Sequence, residues 1–155
     1  MPTVPFTEIE AELNARVSRI VWCTITTVDG KGRPRSRILH PMWEGSTAWI
    51  MTGRNSFKAK HIAANPNIAI SYWDQQHQQV YGECRAEWIE DAAEKQRVWT
   101  MFETTPEPYG YNPALFWPGG PGDANFGVLK CTPRRIELYA LGDMMKGKGP
   151  TVWKP

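Results

Sequence analysis

Arg37, Ser56 and Lys58 are the residue types that hold a phosphate. A guanidinium fork matches two phosphate oxygens, an ammonium adds a point charge and a hydroxyl adds a donor. Gly53-Arg54-Asn55-Ser56 breaks one regular segment and starts another, with Asn55 or Ser56 at the N-cap of a helix that carries Lys58 in its first turn. A helix start offers unpaired N–H groups and a partial positive charge, so an anion fits there. The same residues have a plain reading too: Ser56 as a cap, Lys58 in solvent, and the arginines on a solvated strand face.

The elements that must position these groups follow from period and punctuation. Arg33, Arg35 and Arg37 alternate with Pro34, Ser36 and Ile38, which predicts a strand with the arginines on one face. Glu44-Gly45-Ser46 turns the chain, and Thr47–Thr52 returns as a half-buried strand. A helix is expected over 57–65, closed by Asn65-Pro66-Asn67. Before this unit, Ile9, Leu13 and Val17 predict an amphipathic helix over 7–19, opened by a Thr7/Glu10 capping box. Ile20–Val28 is a strand, and Asp29-Gly30-Lys31-Gly32 is a hairpin turn. After it come strands over 68–73 and 79–89, the latter with Val80, Gly82, Cys84 and Ala86 on one face, then a helix from the Asp91 cap to about Phe102. Thr104–Phe126 is rich in Pro, Gly and aromatics and reads as a lid-like loop, with one helical turn at 113–117. A last strand, interrupted at Thr132-Pro133, leads to a loose tail over 142–155 that carries Trp153. Six strands joined mostly by hairpins, with three helices, predict an α+β fold: a mainly antiparallel sheet that closes, in one domain over 1–155.

Composition narrows the functions. A net charge of +2 with scattered basic residues gives no nucleic-acid footprint. No apolar run reaches the roughly 20 residues of a membrane helix, and the first residues lack a signal peptide's apolar core, so a cytoplasmic protein is expected. Cys23, Cys84 and Cys131 are odd in number and far apart, without CxxC or a His/Cys cluster, so no metal site is expected. Eight tryptophans exceed ordinary use; some fill core, and others suit a flat-ligand pocket or a subunit interface.

In order and spacing, Asp29-Gly30 with Pro34-Arg35-Ser36-Arg37, Met51-Thr52, Ser56 and Lys58, Asn65-Pro66, Gln79-Val80 with Gly82, and Pro133 with Arg135-Ile136-Glu137-Leu138 resemble the pyridoxamine 5′-phosphate oxidase-like, FMN-binding split barrels over residues 7–140. The resemblance implies a six-stranded split β-barrel with flanking helices, working as a homodimer with FMN at its interface. It implies that Arg37 binds the FMN phosphate, with Ser56 and Lys58 completing that site. Ile38, Leu39 and His40 would line the isoalloxazine, Met51 and Thr52 would lie near the ring or ribityl chain, and Gln79 would bond the ring. Trp153 would either cap the pocket or anchor the tail.

The chain departs from the true oxidase at Met42 and Phe57, where that enzyme has basic residues, and in Leu141–Pro155, which lacks its Arg/His segment. Vitamin B6 synthesis is therefore not expected. The leading expectation is an FMN-dependent oxidoreductase acting on a small molecule, with no side chain assigned as acid or base. The alternatives are an F420H2-dependent reductase on the same fold, and a non-catalytic cofactor-binding dimer.

Overall fold

The computed structural model describes residues 1–155. It opens with helix α1 (Phe6–Ile20), whose Ile9, Leu13 and Val17 are fully buried, as their spacing predicts. The helix starts one residue ahead of Thr7, behind Pro5, so Thr7 lies inside it and the expected capping box does not form. The early start places the Phe6 ring against Trp153, centroids 5.2 Å apart.

Strands β1 (Cys23–Val28) and β2 (Pro34–Leu39) pair as a hairpin. Asp29 fixes its turn by accepting the N–H groups of Lys31 and Arg33. A short β3 (Met42–Glu44) turns at Gly45 into β4 (Thr47–Gly53), followed by α2 (Phe57–Ala64), β5 (Asn67–Trp73) and β6 (Gln78–Ile89). Helix α3 (Ala92–Thr104) begins at Asp91, whose Oδ2 accepts from the Glu94 N–H at 2.9 Å. After the long loop come β7 (Phe126–Ala140), a single turn α4 (Leu141–Met144) and β8 (Thr151–Trp153). No helix is long and apolar enough to cross a membrane.

The fold is α+β with a mostly antiparallel, open sheet, as expected for a split barrel, though with eight strands and four helices rather than six and three. The extra strands are β3, hidden in a three-residue stretch, and β8, formed by the tail that read as loose. Strand order is β2-β1-β5-β6-β7-β4-β3, with β8 added on β7. The expected interruption at Pro133 is a bulge: Glu83 faces Arg135 and Cys84 faces Pro133, leaving Arg134 as the extra residue, and β7 runs on as one strand.

The two end strands of this order, β2 and β3, are consecutive in the chain. Only His40 and Pro41 separate them, and three residue steps span at most about 11 Å. The sheet must therefore curl until its ends approach each other, though β2 and β3 do not pair and the sheet stays open. Inside the curl lies the larger core, built from Ile25, Ile50, Ile70, Tyr72, Val80 and Ile136 among others. A smaller core, with Trp49, Met51, Val98, Trp99, Phe102, Trp117 and Phe126, sits under α3 and the loop. The three cysteines are free and buried, and burial pushes the Cys23 and Cys84 thiols up to about 12. They pack as small apolar residues.

One charge is deliberately buried. Arg16 of α1 donates to the carbonyls of Gln79 (2.8 Å) and Tyr139 (2.5 Å) and to Glu12. It thereby ties the helix to β6 and β7. We expect Arg16→Met to lower unfolding stability by about 1.5–3 kcal/mol, since two part-buried carbonyls lose a charged donor. Glu12→Gln, at an exposed partner, should cost under about 1 kcal/mol. Urea denaturation of both variants measures the difference, and equal effects would mean the two backbone contacts carry no weight.

Candidate functional site

The hairpin register places Ile25 opposite Arg37 and Thr27 opposite Arg35. Arg37 is half-buried on that inward side and donates to the Thr27 hydroxyl at 2.8 Å. The same hydroxyl meets His61 Nδ1 of α2 at 3.0 Å. Lys58, also half-buried, donates to Ser56 Oγ at 3.2 Å. Neither cation has a carboxylate partner, whereas Arg33 is paired with Asp29, Arg54 with Glu90 and Arg97 with Glu44 and Glu94. Burial lowers the pKa of Lys58, and the nearby Arg37 charge adds to this. Burial also lowers that of Arg37, with Arg35 contributing. Ser56 is the N-cap residue of α2, but its side chain accepts no backbone N–H of the helix. Two uncompensated cations, two hydroxyls and an uncapped helix start face one spot, and that donor set suits a dianionic phosphate.

Beside this cluster is a cleft of about 500 Å³. One wall holds Ile38, Leu39 and His40 from the end of β2, and the facing wall holds Met51, Thr52 and Gly53 from the end of β4. The loop supplies the remainder, including Glu107, Tyr111, Phe116 and Trp117. Trp22 closes one side. Along β2, and again along β4 and α2, the chain runs between the cleft wall and the cation cluster, so a ring in the cleft and a phosphate on Arg37 and Lys58 are compatible in order.

The loop is held over the cleft at specific points. His40 is buried and donates through Nε2 to the Tyr109 carbonyl at 2.6 Å. The Tyr109 hydroxyl accepts the Trp43 N–H at 2.7 Å. Gly110 admits no side chain, because a Cβ there would sit 1.8 Å from the Thr105 carbonyl oxygen. At the far end, Asn125 accepts the Arg54 N–H and the Trp117 indole N–H on its carbonyl, and the Asn55 N–H on its side chain. The loop's end is thus stitched to the turn that presents Ser56. Gly127 is required where β7 enters beside β4, since a Cβ would lie 2.5 Å from the Trp88 ring and 2.8 Å from the Thr52 carbonyl oxygen.

Of the residues singled out from sequence, Arg37, Ser56 and Lys58 meet in the cluster, and Ile38, Leu39, His40, Met51 and Thr52 line the cleft. Gln79 and Trp153 are elsewhere. Gln79 is the second residue of β6, on the outer sheet face, where Oε1 accepts the Tyr81 hydroxyl at 2.6 Å. Trp153 is buried in the larger core against Phe6, so it anchors the tail and does not cap the cleft of its own chain. Sequence reading missed Thr27, His61, Asn125 and Glu107. Thr27 was findable by counting back across the Asp29–Gly32 turn; nothing local marks Asn125.

Residues 9–140 match the family model of pyridoxamine 5′-phosphate oxidase. The chain belongs to that family. The pyridoxamine 5′-phosphate oxidase family fold is seen in solved structures that share it at low identity. A Clostridium acetobutylicum protein related to general stress protein 26 of B. subtilis superposes with a TM-score of 0.76 at 16% identity, over 97% of this chain and 96% of that one. A NimC/NimA family protein from the same organism gives 0.72 at 12%, over 94% and 93%. A pyridoxamine 5′-phosphate oxidase-related, FMN-binding protein from Nostoc punctiforme gives 0.65 at 21%, over 90% and 85%. At these identities the likeness shows the fold alone. Among curated proteins, none matches this sequence.

The clasp at His40 makes a pH prediction. Burial lowers its pKa, outweighing the Tyr109 carbonyl, which favours the protonated ring. A depressed folded-state pKa means the contribution is present above the unfolded value of about 6.5 and is lost as pH falls through the folded one. Unfolding stability should therefore drop on acidification below about pH 6.5. In His40→Gln, which keeps an N–H donor for Tyr109, that part of the drop should vanish. Identical pH profiles for both proteins in chemical denaturation would refute the assignment.

Proposed function

We propose that this chain is an FMN-binding oxidoreductase that works as a homodimer on a small-molecule substrate. The observation that carries the reading is the half-buried Arg37–Lys58 pair, left without a carboxylate beside an uncapped helix start and next to an apolar cleft. Arg37, Ser56, Lys58 and the first turn of α2 would hold the phosphate. Ile38, Leu39, His40, Met51 and Thr52 would line the ring. FMN supplies hydride or electron transfer at its ring when bound. The protein's part is to orient it, to exclude water with the 104–126 loop, and to keep the His40 ring neutral at the cleft wall.

The dimer reading rests on the outer sheet face. Ile38, Thr24, Ser71, Tyr81 and Glu137 form one row across five strands, and Ser36, Thr26, Ala69, Glu83 and Arg135 the next. The centre is small and flat, and Ile38, Trp73 and Tyr81 are exposed around it. A second copy fits such a surface. Gln79 lies on this face, so it would serve the partner's cofactor rather than its own. Three free, buried thiols suit a reducing, cytoplasmic setting.

One observation favours a second cofactor. Beyond the cation cluster, a cavity of about 370 Å³ is lined by Lys31, Arg33, Arg35, Phe57 and His61 with Asp29 and Gly30. Its basic rim would accept the acidic tail of F420. Arg54 does not line this cavity; it pairs with Glu90 and stacks on Trp88 at 4.7 Å.

Titrating FMN and F420 separately while following their fluorescence tests the reading. FMN should bind, and Arg37→Ala and Lys58→Ala should each weaken it by about 10- to 150-fold, the range for a lost charge-assisted bond. Tight F420 with weak FMN would transfer the site to a deazaflavin reductase. Binding without turnover of any acceptor would leave a cofactor-binding dimer. If neither ligand binds, the proposal fails. In parallel, Ser71→Arg should yield monomer in sedimentation; an unchanged species would remove the outer face as the interface.

A further inference from the structure

The mouth of the cleft carries more apolar surface than a cofactor wall needs. Trp22, Leu115 and Phe116 are 58%, 77% and 65% exposed, yet they come from two separate segments and converge on this one cleft. With Tyr111 and Trp117 they bring four aromatic rings to it. Aromatic faces carry negative potential and attract cations.

The charges point the same way. Glu107 is the only Asp, Glu, Lys or Arg lining the cleft. The one histidine there, His40, spends its N–H on Tyr109. From Val98 to Leu129 the chain has no Lys, Arg or His, so the whole covering loop is without positive charge. Its other acids are engaged: Glu103 accepts the Trp99 indole N–H at 3.0 Å, and Asp123 accepts the N–H groups of Gly119 and Asn125. Glu107 makes no ion pair and no side-chain hydrogen bond. A solvent-exposed, unpartnered carboxylate on the lining of an aromatic-rich cleft favours one ligand charge and repels its opposite.

We propose that the cleft mouth selects a planar organic cation, such as a protonated or N-alkylated heteroaromatic ring, and that Glu107 is the residue that sets this preference. The proposal deepens the flavin reading by naming the substrate class, and rests on it only in taking the cleft's inner wall as the cofactor's.

Calorimetric titration with three bicyclic probes of similar shape tests it, on the protein with and without FMN, at pH 8. The probes are 1-methylquinolinium (cation), quinoline (neutral) and quinoline-2-carboxylate (anion). The cation should bind about tenfold more tightly than quinoline, the scale of one cation–π contact with a nearby carboxylate, and the anion more weakly than either. Added salt should shrink the preference. Glu107→Gln should remove most of the cation's advantage over quinoline, leave quinoline unchanged, and leave FMN affinity unchanged. Phe116→Ala should weaken the cation and quinoline. Equal binding of all three probes, tightest binding of the anion, no binding of any, or an equal loss of all three in Glu107→Gln would overturn the proposal. If FMN itself fails to bind while the charge preference stands, only the flavin reading falls.

Discussion

Two residues close this molecule. Because β2 and β3 are the ends of the sheet and only His40 and Pro41 join them, the chain cannot fold as a flat sheet. The seam that results is where the strand ends of β2 and β4 face each other, and the cleft opens there. His40 lies in the seam itself, and its ring donates outward to the loop that covers the gap. Barrel closure, cleft and cover therefore depend on one short connection. A longer link would let the strand ends drift apart, and with them the two walls that a ring would have to touch.

The electrostatics follow a different rule at each end of the site. Most arginines here are discharged on a carboxylate: Arg33 on Asp29, Arg54 on Glu90, Arg97 on Glu44 and Glu94. Arg37 and Lys58 are held by neutral oxygens instead, those of Thr27 and Ser56. Hydroxyls fix the geometry of a cation without neutralising it, so the positive charge is kept for a ligand at a cost in folding stability. The loop on the other side is stripped of positive charge over more than thirty consecutive residues, from Val98 to Leu129. A ligand pair with an anionic and a cationic member would be sorted by this field before any close contact is made.

The parts legible in the sequence were those with strong local rules. Period four over Ile9, Leu13 and Val17, alternation over Val80 to Ala86, the Asp91 cap and the Asp29–Gly32 turn each specify structure within a few residues. The cation cluster was legible because its members flank recognisable breaks. What was hidden depended on distant pairing. Strand β8 has only three residues and exists because β7 offers it an edge beyond β4. The capping box at Thr7 matched its pattern, but the helix starts at Phe6 behind Pro5 and takes Thr7 inside it. Pro133 reads as a strand breaker, yet a bulge absorbs it and the strand continues. Asn125 joins loop, indole and helix turn through three hydrogen bonds that no spacing announces. Glu107 stood in a segment read for its prolines and aromatics, and its meaning comes from the charges the segment lacks.

The tail strand has one more consequence. Val4 donates its N–H to the Val152 carbonyl at 2.9 Å, and Phe6 packs on Trp153, so the two extremities of the chain are bonded to each other. The segments around Val4 and Trp153 therefore lie side by side. The chain could be recut at the solvent-exposed Gly30–Gly32 turn, with a linker joining a point after Trp153 to one before Val4, without breaking a single pairing of the sheet, since that turn lies outside both strands it links.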